Sequence, residues 1–337
     1  VEVTQVKGDS KTHPFLSPND EYADFETMPF RIGAWVPSKA DGSYVRQAYR
    51  RGLEMAAQGK GNPYKFGLIG ASDTHVGAGA FEEDNYWSKV GLVDSNAKLR
   101  GSVPLDKPNK DGSLYNENNF QTWSASGLAA VWADSNTRGD IFDAMRRKET
   151  YATTGPRMKL RFFASDNFER RILKRANMVE RAYRQGVSMG SDLSLDKNQS
   201  PEFLLWAMRD ARSQGLQRLQ IVKGWVKADG SSAEKVFDVA CAGAKSPNAK
   251  HRCPNNGAKV DVKTCRASAK TSANELKTTW RDPEYTSGQQ AFYYVRVLEN
   301  PSCRWSSWDA LRAGVAPRPD VDATLQERAY SSPIWVN

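Results

Sequence analysis

The chain opens with VEVTQV, where β-branched and polar residues alternate and predict a strand at 1–6. A stretch rich in Pro, Asp and Ser, HPFLSPNDEYADFE, follows it. Val45, Ala48, Tyr49, Leu53 and Ala56 then recur at helical spacing and predict a helix over 44–59, closed by Gly59. KFGLIGASDTH, at 65–75, is apolar on successive residues, as in a strand covered on both faces of a parallel sheet. GLAAVWAD (127–134) predicts another strand, and SNTRGDIFDAMRRKE (135–149) the helix after it, capped by Ser135 or Asn136.

Beyond about residue 158 the pattern changes. KLRFFA, FLLWAM, LQRLQIVKGWV, KVFDVACAG, AKVDVKTC, ELKTTW, QAFYYVRVLE and SSPIWV are separated by Gly, Pro, Asn and Asp, and only a basic helix at 168–185 interrupts them. That succession predicts a β-sandwich-like domain. The expected fold class is therefore α/β followed by all-β, with domains at 1–157 and 158–337, which suits a chain long enough for about two domains.

The composition, 39% hydrophobic and 26% charged, is that of a globular protein and excludes disordered and fibrous classes. No apolar run approaches the roughly 18 residues of a membrane span. A start without Met or a signal-like segment reads as a processed or partial chain. The formal charge of +9 favours anionic partners. Its densest cluster, Arg170, Arg171, Lys174, Arg175, Arg181 and Arg184, alternates with apolar residues and reads as a solvated helix face rather than a nucleic-acid site. The four cysteines, Cys241, Cys253, Cys265 and Cys303, are spaced too widely for a zinc ribbon. They suit disulfides and hence a periplasmic or secreted protein, although free buried thiols and all three pairings stay open.

The chemistry concentrates at the end of GLIGASDTH. Side chains two apart on an extended strand share a side, so Asp73 and His75 can converge on one point while Ser72 faces away. A carboxylate oxygen and an imidazole nitrogen suit a divalent ion of the zinc, manganese or iron type. The same alternation excludes a serine-hydrolase triad from Ser72, Asp73 and His75.

GLIGASDTH also resembles the last metal-binding motif of the polymerase-and-histidinol-phosphatase (PHP) superfamily. The chain is more closely similar to a bacterial family catalogued as domain of unknown function 3604, through stretches running nearly end to end: VEVTQVKGDSKTHPFLSPNDEYADFE, GLIGASDTHVGAGAFEEDNYWSKVG, GLAAVWADSNTRGDIFDAMRRKETYATTGPRMKLRFF, GVSMGSDL, LQIVKGW, FYYVRVLENPSCRW and ERAYSSPIW. The PHP resemblance implies the C-terminal part of a distorted (β/α)7 barrel with two or three metals at its mouth. Asp73 and His75 fall on the family's ligands, and His13, in KGDSKTHP, is a further candidate, although Lys11 stands where an acid is expected. Further ligands are expected from an N-terminal segment carrying an H-x-H strand. The implied activity is metal-dependent hydrolysis of a small phosphorylated substrate, with Arg157 and Arg138 as candidate anion contacts. The alternative is a non-catalytic module that keeps the fold and binds a glycan or protein.

Overall fold

The computed structural model describes residues 1–31, 34–77, 79–116, 118, 120–243 and 246–337. Strand β1 (Glu2–Gln5) turns back on β2 (Gly8–Asp9). Gly8 adopts φ +98° with the Glu26 carbonyl oxygen directly beneath it, so only a residue without a Cβ fits that turn. Helix α1 (Val45–Ala57) buries Val45, Tyr49 and Leu53 along one stripe, close to the span expected from spacing. Strand β3 (Ile69–Gly70) lies parallel to β1. Next come β4 (Leu128–Val131), α2 (Arg138–Arg146) and β5 (Thr150–Thr153). The α2 cap is Thr137, not Ser135 or Asn136; its Oγ1 accepts the Asp140 amide at 3.2 Å.

The rest is mainly strand. In chain order come β6 (Lys159–Ser165), α3 (Met178–Gln185), β7 (Val187–Ser188), β8 (Asp192–Leu193), β9 (Glu202–Met208), β10 (Leu216–Val226) and β11 (Ser232–Cys241). They are followed by β12 (Lys259–Asp261), β13 (Arg266–Ser268), β14 (Glu275–Arg281), β15 (Ala291–Glu299) and β16 (Ser302–Cys303). Helix α4 (Trp305–Ala313), β17 (Thr324–Leu325), β18 (Arg328–Ser331) and β19 (Ile334–Val336) end the chain. The basic helix expected at 168–185 is confined to α3, because Arg171 turns at φ +66° and only a short 3₁₀ turn precedes Arg175.

The central sheet runs β11-β10-β15-β18-β5-β4, with β19 on β15 and β8 on β19. A second sheet, β14-β9-β6-β7, packs on one of its faces through Phe162, Phe203, Leu205, Ile221, Tyr293 and Val295. The other face meets α1 and β1 through Val3, Tyr49, Val222, Tyr294 and Trp335. Alternate residues of β15 therefore enter different cores, and every one of them is buried. An apolar run on successive residues thus marks a doubly covered strand even in an antiparallel sheet.

The (β/α)7 barrel expected from the resemblance is not present. Barrel strands must follow one another in parallel through crossover helices. Here β4 and β5, on either side of α2, pair antiparallel, and the strands form several separate sheets. Parallel pairing among the described residues is limited to β1–β3 and β8–β19. Because β4 and β5 join β10, β11, β15 and β18, the central sheet takes strands from both sides of residue 157.

Two disulfides, Cys241–Cys253 and Cys265–Cys303, use all four cysteines. They suit a protein that works in an oxidising compartment. Among the described residues no helix is long and apolar enough to cross a membrane.

Candidate functional site

The site is built where β3 ends. Ala71 N donates to Thr4 O at 3.0 Å and Val6 N to Ser72 O at 3.4 Å, so the chain follows β1 for two residues past its last ladder pair. Gly70 makes this path open: a Cβ there would stand 2.8 to 2.9 Å from the backbone of Leu128 and Thr153, against which β3 lies. The extended conformation then breaks. Asp73 takes φ +48°, a left-handed turn that Asp tolerates better than most residues. Asp73 and His75 thus come together through a turn, and not through the alternation expected of a strand over 65–75.

The turn is pinned to a second loop, for His75 N donates to Lys89 O at 2.7 Å. That contact brings in two lysines. Lys7, just beyond β1, forms an ion pair with Asp73 Oδ2. The Lys89 ammonium lies 3.5 Å from Asp73 Oδ2 and 3.1 and 3.4 Å from His75 Nδ1 and Nε2. Partial burial pushes the Asp73 carboxyl up, but the Lys7 hydrogen bond and the charges of Lys89 and Lys7 outweigh it and hold the group below its ordinary value. Burial draws the Lys89 ammonium down and Lys7 adds to that, against the pull of Asp73. The result is a cluster in which the partly exposed Asp73 carboxylate lies between two ammoniums and the exposed His75 ring touches the buried one, that of Lys89.

The donor chemistry suits a divalent ion, since the carboxylate oxygen and His75 Nε2 both lie within 3.5 Å of the Lys89 ammonium, while His75 Nδ1 also contacts the Asp73 carbonyl oxygen at 3.1 Å. The pair is not a closed cage. Among the described residues no group of three or more His, Cys, Asp or Glu side chains gathers as a metal site.

The other expected site residues lie apart. The His13 ring rests 5.3 Å from that of Tyr44, its Nδ1 accepts the Phe15 amide at 3.1 Å, and it has no hydrogen bond or ion pair with Asp73 or His75. Lys11 is fully buried, with its ammonium 3.8 Å from the centre of the Tyr294 ring, so it faces the core. Arg138 is exposed at the start of α2. Arg157 is exposed too, and its backbone amide is held by Asp210 at 2.7 Å. Neither arginine joins the cluster. Lys7 and Lys89 escaped notice because nothing in their spacing relates them to Asp73; the one available signal was that both fall inside stretches carrying the family resemblance.

The family model described as "Protein of unknown function (DUF3604)" matches residues 1–337. The chain belongs to this family. No curated protein matches it, and no solved structure does. The full-length match places Lys7, Asp73, His75 and Lys89 all within the DUF3604 region.

Proposed function

We propose that this DUF3604 chain serves a metal-dependent hydrolase acting on phosphoesters or related anionic substrates, with Asp73 and His75 as metal ligands. The carrying observation is that these two side chains share a single cation, the Lys89 ammonium, within 3.5 Å of both. A divalent ion, when bound, lowers the pKa of its water and steadies negative charge on a substrate oxygen. Asp73 and His75 would supply a carboxylate oxygen and an imidazole nitrogen to it. Lys7, the less buried of the two, and Lys89 provide positive charge suited to meeting the oxygens of an anionic substrate. The two disulfides support placing this chemistry in the periplasm or outside the cell.

The test is metal analysis of the protein after equilibration with zinc or manganese, beside hydrolysis of 4-nitrophenyl phosphate and bis(4-nitrophenyl) phosphate. Stoichiometric metal and turnover in the parent, both lost in Asp73→Ala and His75→Ala, are expected. A parent that neither retains metal nor hydrolyses either ester would overturn the proposal in favour of a non-catalytic binding module.

A further inference from the structure

A cavity of about 550 Å³ opens beside this cluster, between the β1–β2 turn and residues 28–31 and 38–44. Its volume is that of a small-molecule site. Lys7 belongs to both places, for it lines the cavity while its ammonium pairs with Asp73. The outer wall is a folded strap: Phe30 bridges Pro37, Arg31 N donates to Val36 O at 2.8 Å, and Ser38 N donates to Pro29 O at 2.9 Å. The strap presents Met28, Phe30 and Tyr44 as apolar surface, with Arg31 and Lys39 as charge.

The charges of the cavity are not equally available. Asp9 accepts from the Tyr330 hydroxyl at 2.9 Å and from the Lys11 amide. Asp41 is taken by Arg51 and Gln47. Glu2 is the one lining acid left without a side-chain partner among the described residues. Arg31 and Lys39, both exposed, likewise have no side-chain hydrogen bond or ion pair there. Two uncommitted cations against one uncommitted acid, beside an aromatic wall, favour a ligand that is both apolar and negatively charged.

We propose that this cavity receives the non-reacting end of the substrate, and that this end is an aromatic organic anion. Its ring packs against Phe30, Met28 and Tyr44, its charge faces Arg31 and Lys39, and the bond to be cleaved lies past Lys7 at Asp73 and His75. The assignment of a reacting end rests on the hydrolase reading; the binding of an aromatic anion does not.

Calorimetry with 2-naphthoate, which has no ester to cleave, tests it against 2-naphthylmethylamine, of similar shape and opposite charge. Naphthoate is expected to bind at least about tenfold more tightly than the amine. Phe30→Ala and the double variant Arg31→Ala/Lys39→Ala should each weaken naphthoate about tenfold or more, whereas Asp73→Ala, which releases Lys7 from its ion pair at the cavity, should not weaken it. Equal binding of the two probes, or naphthoate binding that ignores both cavity variants, would overturn the proposal whatever the hydrolysis assays report. Naphthoate binding that follows this pattern in a protein without metal or hydrolysis would uphold the cavity and remove only the hydrolase reading.

Discussion

Asp20 and Asp73 each sit between two cations, yet they do opposite jobs. Asp20 is fully buried, 2.9 Å from Arg46 and 2.6 Å from Arg296, and Arg46 also donates to the Tyr294 hydroxyl at 2.7 Å. Burial works against the Asp20 carboxylate, but the Arg296 and Arg46 charges prevail and hold its pKa far below the ordinary range. Planar guanidiniums in fixed forks lock the 9–23 loop and α1 onto the central sheet. Asp73 is about a quarter exposed and is held by two ammoniums, the partly exposed Lys7 and the buried Lys89. The first arrangement is a joint. The second leaves its carboxylate in reach of solvent.

The largest effect should come from breaking the joint. Asp20→Ala leaves the buried Arg296 guanidinium without its countercharge and Arg46 with only Glu234 at 3.4 Å, and is expected to cost about 3–5 kcal/mol in denaturant unfolding. A loss no greater than that of Asp73→Ala would erase the distinction between the regions. A third carboxylate shows what burial does without a cation. Glu299 is fully buried, its Oε2 accepts from Ser213, and its Oε1 has no partner among the described residues. Burial, with Asp210 adding, pushes it up to about 8 from its ordinary 4.5. A carboxyl whose pKa is higher folded than unfolded stabilises the fold at low pH, and that contribution is lost as pH rises from about 4.5 through 8. Melting temperature should therefore fall across that window. Glu299→Gln should flatten the fall and raise stability at pH 8 by on the order of 1–3 kcal/mol.

Smaller effects are expected at the open site. Lys89→Ala removes the ammonium that occupies the meeting point of Asp73 and His75, so zinc or manganese should bind about fivefold or more tightly than in the parent, read by calorimetry. Unchanged or weaker binding would mean that the lysine does not compete for that point. Asp73→Ala, which removes a carboxylate about a quarter exposed from one partly exposed and one buried ammonium, should destabilise by less than Asp20→Ala, by about 1–2 kcal/mol, while abolishing metal retention.

Much of the local structure was legible along the chain. The 3.6-residue recurrence of Val45, Tyr49 and Leu53 marks α1 to within two residues. LQRLQIVKGWV coincides with β10, and QAFYYVRVLE contains β15. The apolar run KFGLIGASDTH predicts a short strand over 65–75, but only Ile69 and Gly70 join the ladder, since a strand extends only as far as its neighbour does and β1 soon turns away at Gly8. The apolar run there arises from cover by β4 and β5 rather than from an extended ladder. At the site, the closeness of Asp73 to His75 was legible because a single residue, Thr74, separates them. Lys7 and Lys89 were not, because only the approach of β1 and of the loop around Lys89 makes them neighbours.

Taken alone, the amino-acid order determined where apolar stripes and turns lie, because those depend on residues a few positions apart, and it left the state of the four cysteines open. The tertiary structure decided that β4 and β5 run antiparallel into one sheet with β10 and β15, that Cys241 joins Cys253 and Cys265 joins Cys303, and that two lysines surround Asp73. Such choices rest on contacts between distant segments, whose energies depend on the whole packed arrangement and leave no mark in local periodicity.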